Sequence, residues 1–284
     1  MSVQQVKIRA MLPGFHTAGL LHHDLFGAIE ELAALGYRAV AVRPQHGRLS
    51  QTDPWFGQQL LRLADVTSRH DLQLILDLDT QFLQKAWTTR GPSLSSLEPH
   101  EARTARDWIE TWLDLATESQ ASIVTFASGA TGESTAIATE SSLTQLALEL
   151  DYLVNVAADR GIKLALRPRS GDLVSTVAQW ERLQHWLNSE DLGLAADIGE
   201  MMQGHEIPLA ARLERHRHDL TCIYLCDRRA GQHEDQPIGT GDVAHERLIA
   251  ALANIDFTGP AIVRVEGYSQ HGLRLAEQGI QIFH

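Results

Sequence analysis

Thirteen polar residues recur at similar places along this chain, each at or just past the end of a short apolar run. They are His16, Arg43, His46, Asp77, Asp79, Arg167, Arg169, Asp197, Glu200, Tyr224, Asp227, Arg264 and Glu266. Carboxylates such as Asp197 and Glu266 can take or give a proton beside a carbonyl. Arginines such as Arg43, Arg167, Arg169 and Arg264 bind carboxylate or phosphate through two parallel N–H bonds. In an extended segment, Arg264 and Glu266 share one face, and so do Ala165 and Arg167. A charge inside an apolar strand is costly unless paired, so these groups are expected to pair across a common space. His216 and His218 precede a strand and belong at the opposite end.

The elements that must carry them alternate eight times. Strand-like runs cover 6–12, 37–43, 72–79, 122–128, 162–167, 192–198, 221–227 and 261–267, nearly continuous in Val, Ile, Leu and Ala as strands covered on both faces must be. Between them lie helical patterns. Asp24 caps one whose apolar face carries Leu25, Ile29 and Leu32, with Gly36 beyond its end. Others carry Trp108, Trp112 and Leu115; Leu143, Leu146, Leu150, Leu153 and Ala157; and Leu248, Ile249 and Leu252. Strand then helix, eight times, predicts a single (β/α)8 TIM barrel over 1–284. Helix-to-strand connections are short. Strand-to-helix connections are long, at 13–23, 44–54, 80–98, 129–141 and 228–242, and that is the end where a barrel carries its site. The 80–98 segment has the length of either a lid or a surface insertion.

Composition narrows the function classes. A net charge of −12 opposes binding to a polyanion, so nucleic acid is not an expected partner. The apolar runs are far shorter than the ~20 residues a bilayer requires, so no membrane partner is expected either. The N-terminal MSVQQVKIRAML lacks a signal-peptide layout, and Cys222 and Cys226, four apart on one strand, lie too far apart to bridge. A cytoplasmic location with reduced thiols follows as the expectation. Monomer and homo-oligomer both stay open. No Walker loop, G-x-S-x-G elbow or dinucleotide fingerprint occurs. The IGTGD turn (238–242) could offer amides to a phosphate, although such a segment is more often only a turn.

Six segments in order resemble the xylose isomerase-like barrel superfamily, which holds sugar isomerases, epimerases and AP endonucleases of the endonuclease IV type. These are GYRAVAVRP (36–44), GIKLALRPRSG (161–171), LAADIGE (194–200), IYLCD (223–227), HEDQPIGTGDV (233–243) and FTGPAIVRVEG (257–267). The resemblance implies a divalent metal held by Glu, Asp, His and Glu from strands five to eight, with two carboxylates moving a proton between adjacent sugar carbons. The corresponding positions here are Arg167, Asp197, Tyr224 and Glu266, so two of the four ligand types are replaced. The family's second-strand Glu appears as Ala41, and the histidine after the sixth-strand Asp as Glu200. Asp197 and Glu266 alone cannot close a tight site, which leaves no cofactor or at most a weakly held Mn or Mg completed by water or substrate. Arg167 is accordingly expected to form a cluster with Asp197 and Glu266 in the metal's place. The catalytic candidates are Glu266 and Asp197. The binding candidates are Arg43, His46, Arg167, Arg169, Tyr224, Asp227 and Arg264, facing a small polar or anionic ligand. Two functions compete: an isomerase or epimerase acting on a small polyhydroxy or hydroxy-acid compound, and a catalytically retired barrel that binds a small anion or serves as an enzyme subunit.

Overall fold

The computed structural model describes residues 11–130, 136–189, 191–229 and 231–284. Eight parallel strands close into one barrel in sequence order, β1 (Leu12–His16) pairing with both β2 (Ala39–Val42) and β8 (Pro260–Val263). Between those lie β3 (Gln73–Asp77), β4 (Ile123–Phe126), β5 (Lys163–Leu166), β6 (Gly193–Asp197) and β7 (Leu220–Leu225). The expected single (β/α)8 barrel is therefore the observed architecture. The helices are α1 (Leu25–Ala34), α2 (Phe56–Arg69), α3 (Pro99–Glu118), α4 (Ala136–Asp159), α5 (Val177–Gln184), α6 (Ile198–Gln203), α7 (Leu209–Arg215), α8 (His245–Asn254) and α9 (Gly272–Gly279). Asp24 caps α1 as anticipated, accepting from the Gly27 amide at 2.8 Å. Among the described residues no helix is long and apolar enough to cross a membrane.

Two expectations about element bounds need correction. Of the strand expected over 6–12, residues 6–10 lie outside the described residues, and β1 runs Leu12–His16. Its Pro13 and Gly14 read as loop chemistry, but Gly14 answers a packing demand: a Cβ there would meet Ile262 Cδ1 on β8 at 2.2 Å. The connection expected at 129–141 is shorter, because α4 begins at Ala136; residues 131–135 lie outside the described set.

Two apolar layers hold the barrel. Outward-facing side chains such as Val40, Leu76, Val124, Leu166, Leu194 and Val263 pack against helix residues including Leu32, Leu63, Trp112, Leu150 and Leu252. A smaller cluster comprises Ala39, Ala41, Ile75, Ile123, Ala165, Ala195, Cys222, Tyr224 and Ile262, the alternate positions that point into the barrel. Four of these nine are alanine, and the room they leave is taken above them by larger groups, Tyr224 and the Arg167 guanidinium. Both cysteines are free and buried.

Candidate functional site

The two-residue alternation that places Ala39, Ile75, Ala165, Ala195, Cys222 and Ile262 inside the barrel continues upward to its C-terminal mouth. Two residues on, the same faces carry Asp77, Arg167, Asp197, Tyr224 and Arg264, with His16 and Thr125 supplied by β1 and β4. One further step reaches Asp79, Arg169 and Glu266, and Arg43 stands two residues beyond Ala41. Most of the polar residues singled out in sequence thus converge because they occupy one register; His46 and Asp227 do not.

Asp77 is the centre of the assembly and is fully buried. Its carboxylate receives His16 Nε2 at 2.9 Å, Thr125 Oγ1 at 3.1 Å, Arg167 Nη1 at 3.3 Å and Arg43 Nη2 at 3.5 Å. His16 Nδ1 accepts from the Ala18 amide at 3.0 Å, so the ring proton sits on Nε2 and points at Asp77. Burial drives the His16 pKa down, keeping the ring neutral. Burial would raise Asp77, but Arg167, the His16 hydrogen bond and Arg43 together hold it well below the carboxylate range. Since Thr125 donates to Asp77, the Tyr224 hydroxyl, 2.8 Å away, must donate to Thr125.

Arg167 corrects one sequence-based expectation. Its guanidinium does not bridge Asp197 and Glu266; it pairs with Asp77 and, at 2.5 Å, with Asp79, both on the β3 side of the mouth. Asp197 and Glu266 have cations of their own. Arg264 Nη2 lies 3.1 Å from Asp197, and Arg43 Nη2 lies 2.7 Å from Glu266, with Arg264 at 3.8 Å on its other side. The reason is reach: Arg167 leans over the Tyr224 ring, its guanidinium carbon 4.9 Å from the ring centre, toward β3.

The network extends outward. Arg169 pairs with Asp79 and, at 3.0 Å, with Asp172, which also receives Arg90 from the 78–98 loop at 3.1 Å. On the other side Asp235 lies 3.4 Å from Arg264 and 3.3 Å from Arg228, and Arg228 also meets Glu200 at 3.2 Å. Asp79, His16 and Asp77 stand out as polar positions in sequence without being assigned to the site; for the two aspartates, their alternation at the end of LQLILDLD is the available signal. Arg90, Asp172, Asp235 and Arg228 come from irregular loops, where no periodicity marks them.

Tyr224 is fully buried, with the Arg167 guanidinium over its ring, and forms the floor beneath that group. Asp227, expected to bind ligand, instead anchors a loop: its carboxylate accepts from the Gly239 and Gly241 amides at 2.9 Å and from Val243 at 3.1 Å. The IGTGD turn therefore spends its Gly239 and Gly241 amides on Asp227, not on a phosphate. His46 is exposed and lies 3.2 Å from the Phe82 carbonyl of the 78–98 loop, outside the ion network. Asp197 is almost fully buried and also caps α6, accepting from the Gly199 and Glu200 amides at 3.1 and 3.2 Å. Glu266 is the accessible carboxylate, its side chain 33% exposed. Burial would raise its pKa, yet Arg43 and Arg264 hold it far below the usual range.

The profile of the xylose isomerase-like TIM barrel family matches residues 29–284. This chain belongs to that family. Solved structures of the family share its fold at low identity. A D-tagatose 3-epimerase-like protein superposes with a TM-score of 0.77 at 16% identity, covering 96% of this chain and 97% of the other. D-psicose 3-epimerase from Clostridium cellulolyticum H10, solved with D-tagatose, gives 0.76 at 15% identity, covering 96% and 98%. An IOLI protein described with a bound zinc atom gives 0.73 at 16% identity, covering 96% and 95%. A search of curated proteins by sequence finds no match.

A divalent ion of the kind the family implies does not fit the side chains present. The four family positions hold a guanidinium, a carboxylate already paired with Arg264, a buried phenol whose pKa is driven up by burial, and a carboxylate paired with Arg43. A permanent cation stands where a ligand would be, and both carboxylates carry compensating charge already. Among the described residues no group of three or more His, Cys, Asp or Glu is arranged to hold a metal.

Proposed function

We propose that this family member binds a small uncharged polyhydroxy compound at the barrel mouth and acts on it as a sugar isomerase or epimerase, without a tightly held metal. The observation that carries the reading is Glu266, an accessible carboxylate set between two fixed guanidinium groups, Arg43 and Arg264, above a buried ionic floor. A sugar carbonyl oxygen accepting from Arg43 would develop negative charge beside a permanent cation, the role a metal has in a Lewis-acid site. Drawing Arg43 away from Glu266 would also make that carboxylate a better base for the adjacent C–H, because its low pKa comes from that pairing. No step here requires Asp197, which is held by Arg264 and by the α6 amides.

The ligand is expected to be uncharged for a reason visible only in three dimensions. The arginines suggested an anion, but Arg43, Arg90, Arg167, Arg169, Arg228 and Arg264 face Asp77, Asp79, Asp172, Asp197, Glu200, Asp235 and Glu266. Six cations meet seven anions, leaving no surplus positive charge for a carboxylate or phosphate. A second reading, binding without turnover, is favoured by the same low pKa of Glu266, since a base so acidic removes a C–H proton slowly.

The test is deuterium exchange. A panel of ketoses incubated with the protein in D2O, with and without EDTA, is followed by proton NMR for loss of the C–H next to the carbonyl. The isomerase reading expects exchange that EDTA leaves unchanged and Glu266→Gln abolishes. Saturable binding of the same sugars with no exchange by either protein would establish the second reading and overturn the first.

A further inference from the structure

Between the 78–98 loop and the barrel rim lies a small pocket of about 60 Å3, partly open to solvent, off the barrel axis on the β3–β5 side. Trp108, Phe126, Leu94 and Pro92 make its apolar wall, and Asp79 and Arg169 its polar one. That volume accommodates a few atoms the size of water, not a sugar ring. Arg169 is only 6% exposed, and its Nε–H has no acceptor among the described residues. An unpartnered buried donor beside a carboxylate and an aromatic wall is the composition of a ligand pocket.

The roof is fastened unevenly. Near its C-terminal end Ser93 Oγ donates to the Ser128 carbonyl at 3.0 Å, and Gly129 leaves it room, since a Cβ there would meet Ser93 Oγ at 2.2 Å. The preceding stretch is a compact turn closed by the Phe82 amide on the Thr89 carbonyl at 2.9 Å, with Trp87 at its tip 96% exposed. Three polar contacts hold that turn down: the His46–Phe82 bond, an exposed Lys85–Glu101 pair at 3.1 Å, and Arg90 on Asp172. Exposed pairs of this kind are weak. Arg90 is the one that reaches the buried chain, because Asp172 joins it through Arg169 to Asp79.

We propose that this space is a second subsite of the mouth, taking the terminal hydroxyl-bearing end of an uncharged polyol when the Arg90–Asp172 pair releases the roof. It rests on the polyhydroxy reading above. A hydroxyl is the group that can use both polar walls at once, donating to Asp79 while accepting from Arg169 Nε–H, with its carbon against the Trp108 and Phe126 rings. A carboxylate would be repelled by Asp79 and an ammonium by Arg169.

The experiment is thiol labelling. Ala105 lines the cavity and is 3% exposed, and the two native cysteines are fully buried, so Ala105→Cys places a single reporter thiol under the roof. Reaction with methyl methanethiosulfonate is followed by mass spectrometry. Adding Arg90→Ala should raise the labelling rate about five-fold, the population change that loss of a part-exposed ion pair brings. Xylitol at about four times its dissociation constant should then slow labelling about five-fold. Trimethylamine N-oxide at equal osmolality, which lacks hydroxyl groups and favours the closed state only by its exclusion from the surface, should slow it far less. Thr80→Cys repeats the measurement from the barrel side, which keeps the question open to an answer if Ala105→Cys fails to fold. A rate insensitive to Arg90→Ala, insensitive to xylitol, or slowed equally by both solutes overturns the proposal. Failure of the isomerase reading appears separately, as absent deuterium exchange.

Discussion

Removing the Arg167 charge tests the ionic floor most directly. Its two nitrogens lie 3.3 Å from Asp77 and 2.5 Å from Asp79, and the side chain is fully buried. At an effective dielectric of about 20 the Asp77 contact alone corresponds to roughly 5 kcal/mol of gross attraction, most of it offset by the cost of burying the charges. The relevant quantity is what Arg167→Met leaves behind. Asp77 keeps His16, Thr125 and Arg43, and Asp79 keeps Arg169, so neither carboxylate is orphaned. The loss should therefore fall at the low end of the range for a broken buried pair, about 3 kcal/mol at pH 7. It should also shrink on acidification. Without Arg167 the burial of Asp77 is less compensated, its folded pKa rises, and protonation relieves the remaining repulsion with Asp79. Urea denaturation at pH 7 and pH 5, with Arg167→Met/Asp79→Asn as the partner variant, reads both effects. The double variant should recover part of the loss. A difference under about 1 kcal/mol at both pH values would mean that Arg167 merely fills space above Tyr224, and would refute the network argument.

Three further expectations follow from the same geometry. Asp227→Ala removes the acceptor for three loop amides and should cost about 2–3 kcal/mol, with faster proteolysis within 228–242 than elsewhere; unchanged cleavage there would contradict the anchoring role. His16 has a folded pKa below its unfolded value of about 6.5, so the unfolded chain binds more protons and stability falls as pH drops below that value; His16→Asn should flatten this part of the pH–stability curve, and an unaltered slope would show that His16 is not its source. Calorimetric titration with manganese should give no micromolar binding to the natural protein, whereas Arg167→Glu with Tyr224→His, which supplies the family's ligand types, should gain binding and be stabilised by the ion. Micromolar binding by the natural chain would mean that other groups complete a site around Asp197 and Glu266.

The alternation of strand and helix was enough to give the barrel, because covered parallel strands must be nearly continuous in apolar residues and their helices must show one apolar face. The same period of two placed Arg167, Asp197, Arg264 and Glu266 at one end and on inward faces, and the cost of burying charge required that they be paired. What period and composition cannot encode is the choice of partner. Arg43, Arg167 and Arg264 each had several carboxylates within a side chain's length, and the barrel's curvature, the Tyr224 ring beneath Arg167 and the extra carboxylates of β3 sent Arg167 across to Asp77 and Asp79. Asp227 looked like its neighbours in sequence, yet the path of the following loop turned three amides onto it. Asp172, Asp235 and Arg90 sit on connections without periodicity, so only their positions after folding join them to the site. The near balance of charge at the mouth, on which the proposal of an uncharged ligand rests, is a sum over contacts between segments up to 223 residues apart. Local patterning specifies which elements form and which way they face; which charges neutralise one another is set by distances that exist only once the barrel has closed.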